Sequence, residues 1–187
     1  PFSASATPAS SRLGADRVMT RSEIDKLALY AHGKGTIEAE DVEAVVGDAS
    51  EQTLDAAALA AASGDAARAV SECDRAVSSG DNAQAVIAAV QRHFVRLHRC
   101  RAQVDQGRGV EDVIKGLRPG IHYRIKDQFA AQIRTWNGDR LLRALHGIAV
   151  AAKAARLNSA LDQALAERLL LDLARLARAG QTTPVRR

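Results

Sequence analysis

The chain reads as an all-α protein, and three observations point that way. Hydrophobic residues make up 47% of its 187 residues and aromatics only 3%, so the apolar content is mostly Ala, Leu, Val and Ile. Ala and Leu are strong helix formers. Apolar residues recur at spacings of three and four, the period of one helical face. The alternation of β-branched and aromatic residues that marks strands is hard to find anywhere in the sequence. A chain of this length can bury one sizeable core, or a larger domain with a small appendage.

The elements follow in order. Residues 1–11, "PFSASATPASS", are small, polar and Pro-containing, and read as a linker or a disordered start. With no initiator Met before them, the chain is expected to be the C-terminal portion of something longer. From Arg12 the pattern turns helical, with Ile24, Leu27, Ala28 and Ala31 forming one stripe that Gly33 and Gly35 end. A short helix over 39–46 follows, its first turn holding Glu38, Glu40 and Asp41 at the positive end of the helix dipole. Residues 12–48 thus form a small helical module.

Residues 49–180 read as a multi-helix bundle, with helices expected near 53–63, 65–79, 82–106, 110–116, 122–135, 138–156 and 161–178. Asp65 after Gly64 and Asp81 after Gly80 are the expected N-caps. The longest helix carries the stripe Val86, Val90, Phe94, Leu97 and Val104. The last carries Leu161, Leu165, Leu169, Leu173 and Leu176, an apolar arc wide enough for a central helix. Short connections predict antiparallel neighbours. The tail 181–187, "QTTPVRR", is expected to fray.

Charge is unevenly spread. The net charge is +4, with residues 1–48 at −3 and residues 49–187 at +7. A basic half beside an acidic one suits a nucleic-acid neighbourhood or an acidic protein partner. Cys73 and Cys100 lack metal-ligand spacing and read as buried free thiols in a reducing cytosol. The sequence holds no run of about 18 apolar residues, the length a membrane span needs.

Candidate chemistry is sparse. Gly33-Lys34-Gly35-Thr36 looks like part of a phosphate-binding loop. The glycine that should begin such a loop is missing, and a helix precedes it where a strand is required. A helix C-cap and turn account for it. The segment "RHFVRLHRCR" places Arg92, Arg96 and Arg99 on one helical face at i, i+4 and i+7. That face could contact phosphates, or be solvated, or pair with acids of a neighbouring subunit. It lacks interleaved exposed aromatics for base stacking. His93 and His98 lie five apart, not the four that would put two metal ligands on one face, and His32, His122 and His146 are scattered. Trp136, before Asn137-Gly138, reads as the anchor of a helix joint. No pattern of catalytic residues emerges, and neither a cofactor nor a metal is expected.

Two phrases carry the reading further. "LGADRVMTRSEIDKLALYA" contains Glu23, Lys26, Leu27, Leu29 and Tyr30 in the form E-x-x-K-L-x-L-Y. "IEAEDVEAVVGDAS" contains Ile37, Glu40, Asp41, Val42, Val46 and Gly47 in the form I-T-x-E-D-V-x-x-x-V-G, with Glu38 in place of the Thr. Together they resemble the lid of the delta subunit of the bacterial DNA polymerase III clamp loader. "GDAARAVSECDRAVSSGDNAQAVIAAVQRHFVRLHRCRA", "IHYRIKDQFAAQIRTW", "RLLRALHGIAVAAKAAR" and the Leu-rich last helix are similar to that family's collar, so the resemblance runs over about residues 12–178.

The resemblance implies a helical lid at 12–48 and a collar at 49–180, without the N-terminal AAA+-like domain that carries the family's main clamp-binding element. It implies a non-catalytic part in DNA replication within the bacterial cytoplasm. The collar would assemble with the other loader subunits, and the assembly would open the sliding clamp and load it onto primed DNA. Other loader subunits share the architecture and are the near alternative. A stand-alone basic helical DNA binder is the further one.

Overall fold

The computed structural model describes residues 52–118 and 120–181. These residues are all-α, with no strand among them. Residues 52–62 form α1, followed by α2 (Ala66–Ser78), α3 (Ala83–Asp105), α4 (Val110–Lys115), α5 (Lys126–Thr135), α6 (Gly138–Leu157) and α7 (Asp162–Gln181). Single 3₁₀ turns, Tyr123–Ile125 and Ser159–Leu161, lead into α5 and α7. The expected lid, with Glu23, Lys26, Leu27, Leu29 and Tyr30, lies outside the described residues, as do the Gly33–Thr36 turn, the opening segment and residues 182–187.

The three longest helices, α3, α6 and α7, have 23, 20 and 20 residues. Each packs against the other two. Helix α2 packs on α7 and α3, while α4 and α5 pack on each other and on α3. Helices α3 and α7 each run antiparallel to α6, and so parallel to one another. Gln84 and Gln91 near the start of α3 share a cleft with Ala152 and Arg156 near the end of α6. Gly180 near the end of α7 lies beside Arg140 at the start of α6.

One core runs through the bundle, with Phe94, Leu97, Phe129, Ile133, Trp136, Leu141, Ile148, Leu170 and Leu173 among its largest side chains. Helix α1 is buried by its composition. Ala57, Ala58, Ala60, Ala61 and Ala62 are all at most 2% exposed, so neighbouring backbones can approach it closely from several sides. Gly64 ends α1 at φ +84°, where Gly64 N–H donates to Ala61 O and Asp65 N–H to Ala60 O. This pair of bonds satisfies carbonyls that a helix end leaves open. The turn then sits against α7, where Arg178 Nε donates to Gly64 O at 2.6 Å.

The sole Trp fixes the α5–α6 joint, as expected. Trp136 is fully buried, edge-on to Phe94 at 5.0 Å, and its Nε1 donates to Ala62 O at 2.8 Å. Three expectations are corrected. The N-cap of α3 is Asn82, not Asp81. Asn82 takes the extended conformation and its Oδ1 accepts from Ala85 N–H at 2.7 Å. The helix expected from 122 starts at Lys126, because His122 is extended and its Nδ1 accepts from Arg124 N–H in the preceding 3₁₀ turn. Leu161 is not on the α7 stripe. Asn158 interrupts the helical course, and Leu161 falls in the 3₁₀ turn, 58% exposed.

Candidate interaction surface

Arg92, Arg96 and Arg99 do lie on one arc of α3, but their surroundings differ. Arg92 stands 3.9 Å from Asp55 of α1, both side chains more than half exposed. Such a pair is worth little and partly neutralises the arc. Arg96 is half-buried and engaged by a neighbour. Arg99 is exposed and meets no carboxylate among the described residues. The arc is therefore one open cation beside two that are occupied.

The histidines do not converge, and no group of three or more His, Cys, Asp and Glu that could hold a metal occurs among the described residues. His93 instead joins a polar network inside the bundle. Gln132, 2% exposed, donates through Nε2 to Leu59 O at 3.0 Å and to Ser63 Oγ at 2.7 Å. Its Oε1 is left to face His93 Nε2 at 2.9 Å, so Nε2 is the ring nitrogen that donates. Burial pushes the His93 pKa down to about 4, with the Arg96 charge adding to it and the Gln132 hydrogen bond opposing. The network closes the C-terminal end of α1 with side chains from α3 and α5.

Both cysteines are free and fully buried. Burial raises the Cys73 thiol to about 11, helped by the nearby charges of Glu167 and Asp74. Burial also raises Cys100, against the opposing charge of Arg96. These are thiols held away from their nucleophilic form.

Two surfaces were not singled out from the sequence. The first is the segment entering α5. Tyr123 is 72% exposed, the His122 ring lies 4.5 Å away, and the Arg124 guanidinium sits 5.6 Å from the centre of the Tyr123 ring. The second is the α3–α6 pair. Between residues 83–104 and 140–161 there are eight Lys and Arg and no Asp or Glu. That signal was readable in the sequence, but only the packing of α3 on α6 brings the two stretches together. Between them lies a cleft of about 190 Å³ lined by Gln84, Ile87, Gln91, Ala152 and Arg156 among others.

No protein-family model matches the chain, and neither the curated proteins nor the solved structures contain a match to it. No described helix is long and apolar enough to cross a membrane.

Proposed function

We propose that the chain is the lid-and-collar portion of a bacterial clamp-loader delta subunit, a non-catalytic element that helps assemble the loader in DNA replication. The observation that carries this reading is the ordered run of family-like phrases along the sequence. The phrases within residues 52–181 also correspond to whole elements of the bundle. "GDAARAVSECDRAVSSGD" spans α2 with its flanking turns, and "NAQAVIAAVQRHFVRLHRCRA" spans most of α3. "IHYRIKDQFAAQIRTW" spans the 3₁₀ turn, α5 and the anchoring Trp136. "RLLRALHGIAVAAKAAR" lies within α6. The test is co-purification of the chain with the other loader subunits of the same organism. Stable incorporation without ATP hydrolysis by the chain supports the reading. A folded chain that binds none of those subunits sinks it. Another loader subunit of the same architecture remains the near alternative, and its incorporation in a different position of the assembly would distinguish it.

A second reading, a basic helical DNA-binding module, is favoured by two observations: Arg99 has no carboxylate partner, and the exposed Tyr123–Arg124 pair offers a stacking surface beside a cation. Phosphate binding falls steeply with salt. A titration of DNA binding from low to physiological salt tests it, and absent binding at low salt removes it.

A further inference from the structure

We infer that the outward face of α6 is a docking surface for an acidic, leucine-bearing helix of a neighbouring subunit. The inference rests on the assembly reading for where that helix is found, and on the surface itself for its chemistry. Four large aliphatic side chains stand in solvent on α6 and the turn after it, Leu142 at 56%, Val150 at 55%, Leu157 at 72% and Leu161 at 58% exposed. Leu142, Val150 and Leu157 are spaced at eight and seven residues, so they fall on one side of α6, and Leu161 lies in the 3₁₀ turn that follows it. The opposite side of α6, Leu141, Ala144, Ile148 and Ala155, is already buried in the core. Buried apolar surface is what stabilises the fold, and an exposed line of it on a second face is left for a partner.

Charge says what kind of partner. Arg143, His146, Lys153 and Arg156 are all exposed on α6, and no Asp or Glu occurs between Asp139 and Asp162. Arg143, Lys153 and Arg156 meet no carboxylate among the described residues. A helix presenting Leu and Glu at three- and four-residue spacing would cover the aliphatic line and pair these cations in one contact. A second copy of this chain fits less well, because a two-fold contact would set cations against cations with no carboxylate between them. A phosphate backbone would pair the cations but leave four aliphatic side chains in water. A membrane-surface helix keeps its charges off the apolar centre. Here Lys153 lies between Val150 and Leu157, within the line itself.

The experiment uses the full chain, co-expressed with the other loader subunits, and two double variants. V150D/L157D removes the aliphatic contact, and K153E/R156E reverses the charge. All four residues are exposed, so unchanged helicity by circular dichroism separates lost binding from lost folding. Each double variant is expected to weaken incorporation by about tenfold or more, the scale of losing a buried anchor. Incorporation of both variants at wild-type affinity overturns the inference while leaving the assembly reading intact. If the wild-type chain joins no loader subunit, the assembly reading fails. A synthetic helix with Leu and Glu on one face then tests the surface by itself. Selective binding of that helix over its Leu/Lys counterpart, lost in both variants, upholds the docking chemistry, and equal binding of the two overturns it. Two further outcomes reassign the face. Duplex DNA binding abolished only by K153E/R156E makes it a phosphate surface. Binding to phosphatidylserine-containing vesicles abolished by both variants makes it a membrane surface.

Discussion

Lowering the pH should unfold this bundle partly through His93. Its imidazole is neutral and donates to Gln132 Oε1 at 2.9 Å, and burial moves its pKa from 6.5 to about 4. The unfolded chain takes up the proton near pH 6.5, whereas the folded chain takes it up only near pH 4. Between those values the unfolded state binds more protons, so stability falls as the pH falls. The contribution is fully present above the unfolded value and fully lost below the folded one. Each pH unit of displacement is worth about 1.4 kcal/mol, so going from about pH 7 to about pH 4.5 should cost on the order of 2 kcal/mol through this group. Urea unfolding at the two pH values, followed by far-ultraviolet circular dichroism and by the fluorescence of buried Trp136, measures the loss. The control is His93→Gln, which keeps an amide donor near Gln132 and does not titrate. Carboxylates titrate in both proteins and cancel in the difference between them. The variant should therefore lose about 2 kcal/mol less than the wild type over this interval. Equal losses would refute the argument that a half-buried neutral His93 contributes to the pH dependence.

Other perturbations test the joints around that network. Gly64 has φ +84°, and a Cβ there would meet Arg178 Cγ at 3.1 Å, whereas Gly107 has φ +92° with nothing within 4 Å. Gly107→Ala should cost about 1–2 kcal/mol from backbone strain alone, and Gly64→Ala more, both read from urea midpoints. Trp136→Phe removes the hydrogen bond to Ala62 O. It should cost about 1–3 kcal/mol, less than the roughly 3–5 kcal/mol of Trp136→Ala. Cys73 and Cys100 should stay inert to a thiol reagent in the folded chain at mildly alkaline pH, since both are fully buried and burial raises both pKa values. Both should react at once in denaturant.

The helices were legible because Gly and Asx punctuation marks their ends. Gly64-Asp65 and Asn137-Gly138 each pair a helix stop or start with a side chain that caps the next N–H, as Asp65 does for Arg68 and Asn137 for Arg140. Asp81-Asn82 was ambiguous because either residue can cap, and only the backbone conformation decides between them. The surfaces were harder to read. Arg92 meets Asp55, and His93 meets Gln132, across long stretches of sequence. No local spacing encodes such contacts. Helix α6 is apolar nearly all round, with Leu141 and Ile148 buried while Leu142 and Val150 are exposed. Its periodicity could not say which side faces the core, and only its packing against α3 and α7 settles that.

The displaced pKa values have a common physical origin. His93, Cys73 and Cys100 owe their shifts first to burial. Perturbed groups point to a reactive site when they line a cleft together with a charge partner. None of these three lines the cleft between α3 and α6. The His93 ring is committed to an amide, and both thiols are closed off from solvent. Their shifts are consequences of a tightly packed core. What lies open on the described surface is different in kind: cations at Arg99, Arg143, Lys153 and Arg156 that meet no carboxylate among the described residues, the exposed Tyr123–Arg124 pair, and exposed aliphatics on α6 and the turn after it. With His93, Cys73 and Cys100 held by the core, and with exposed apolar groups on α6 set among cations that meet no carboxylate among the described residues, the α6 variants are a sharper probe of the proposed assembly than substitutions of those three residues.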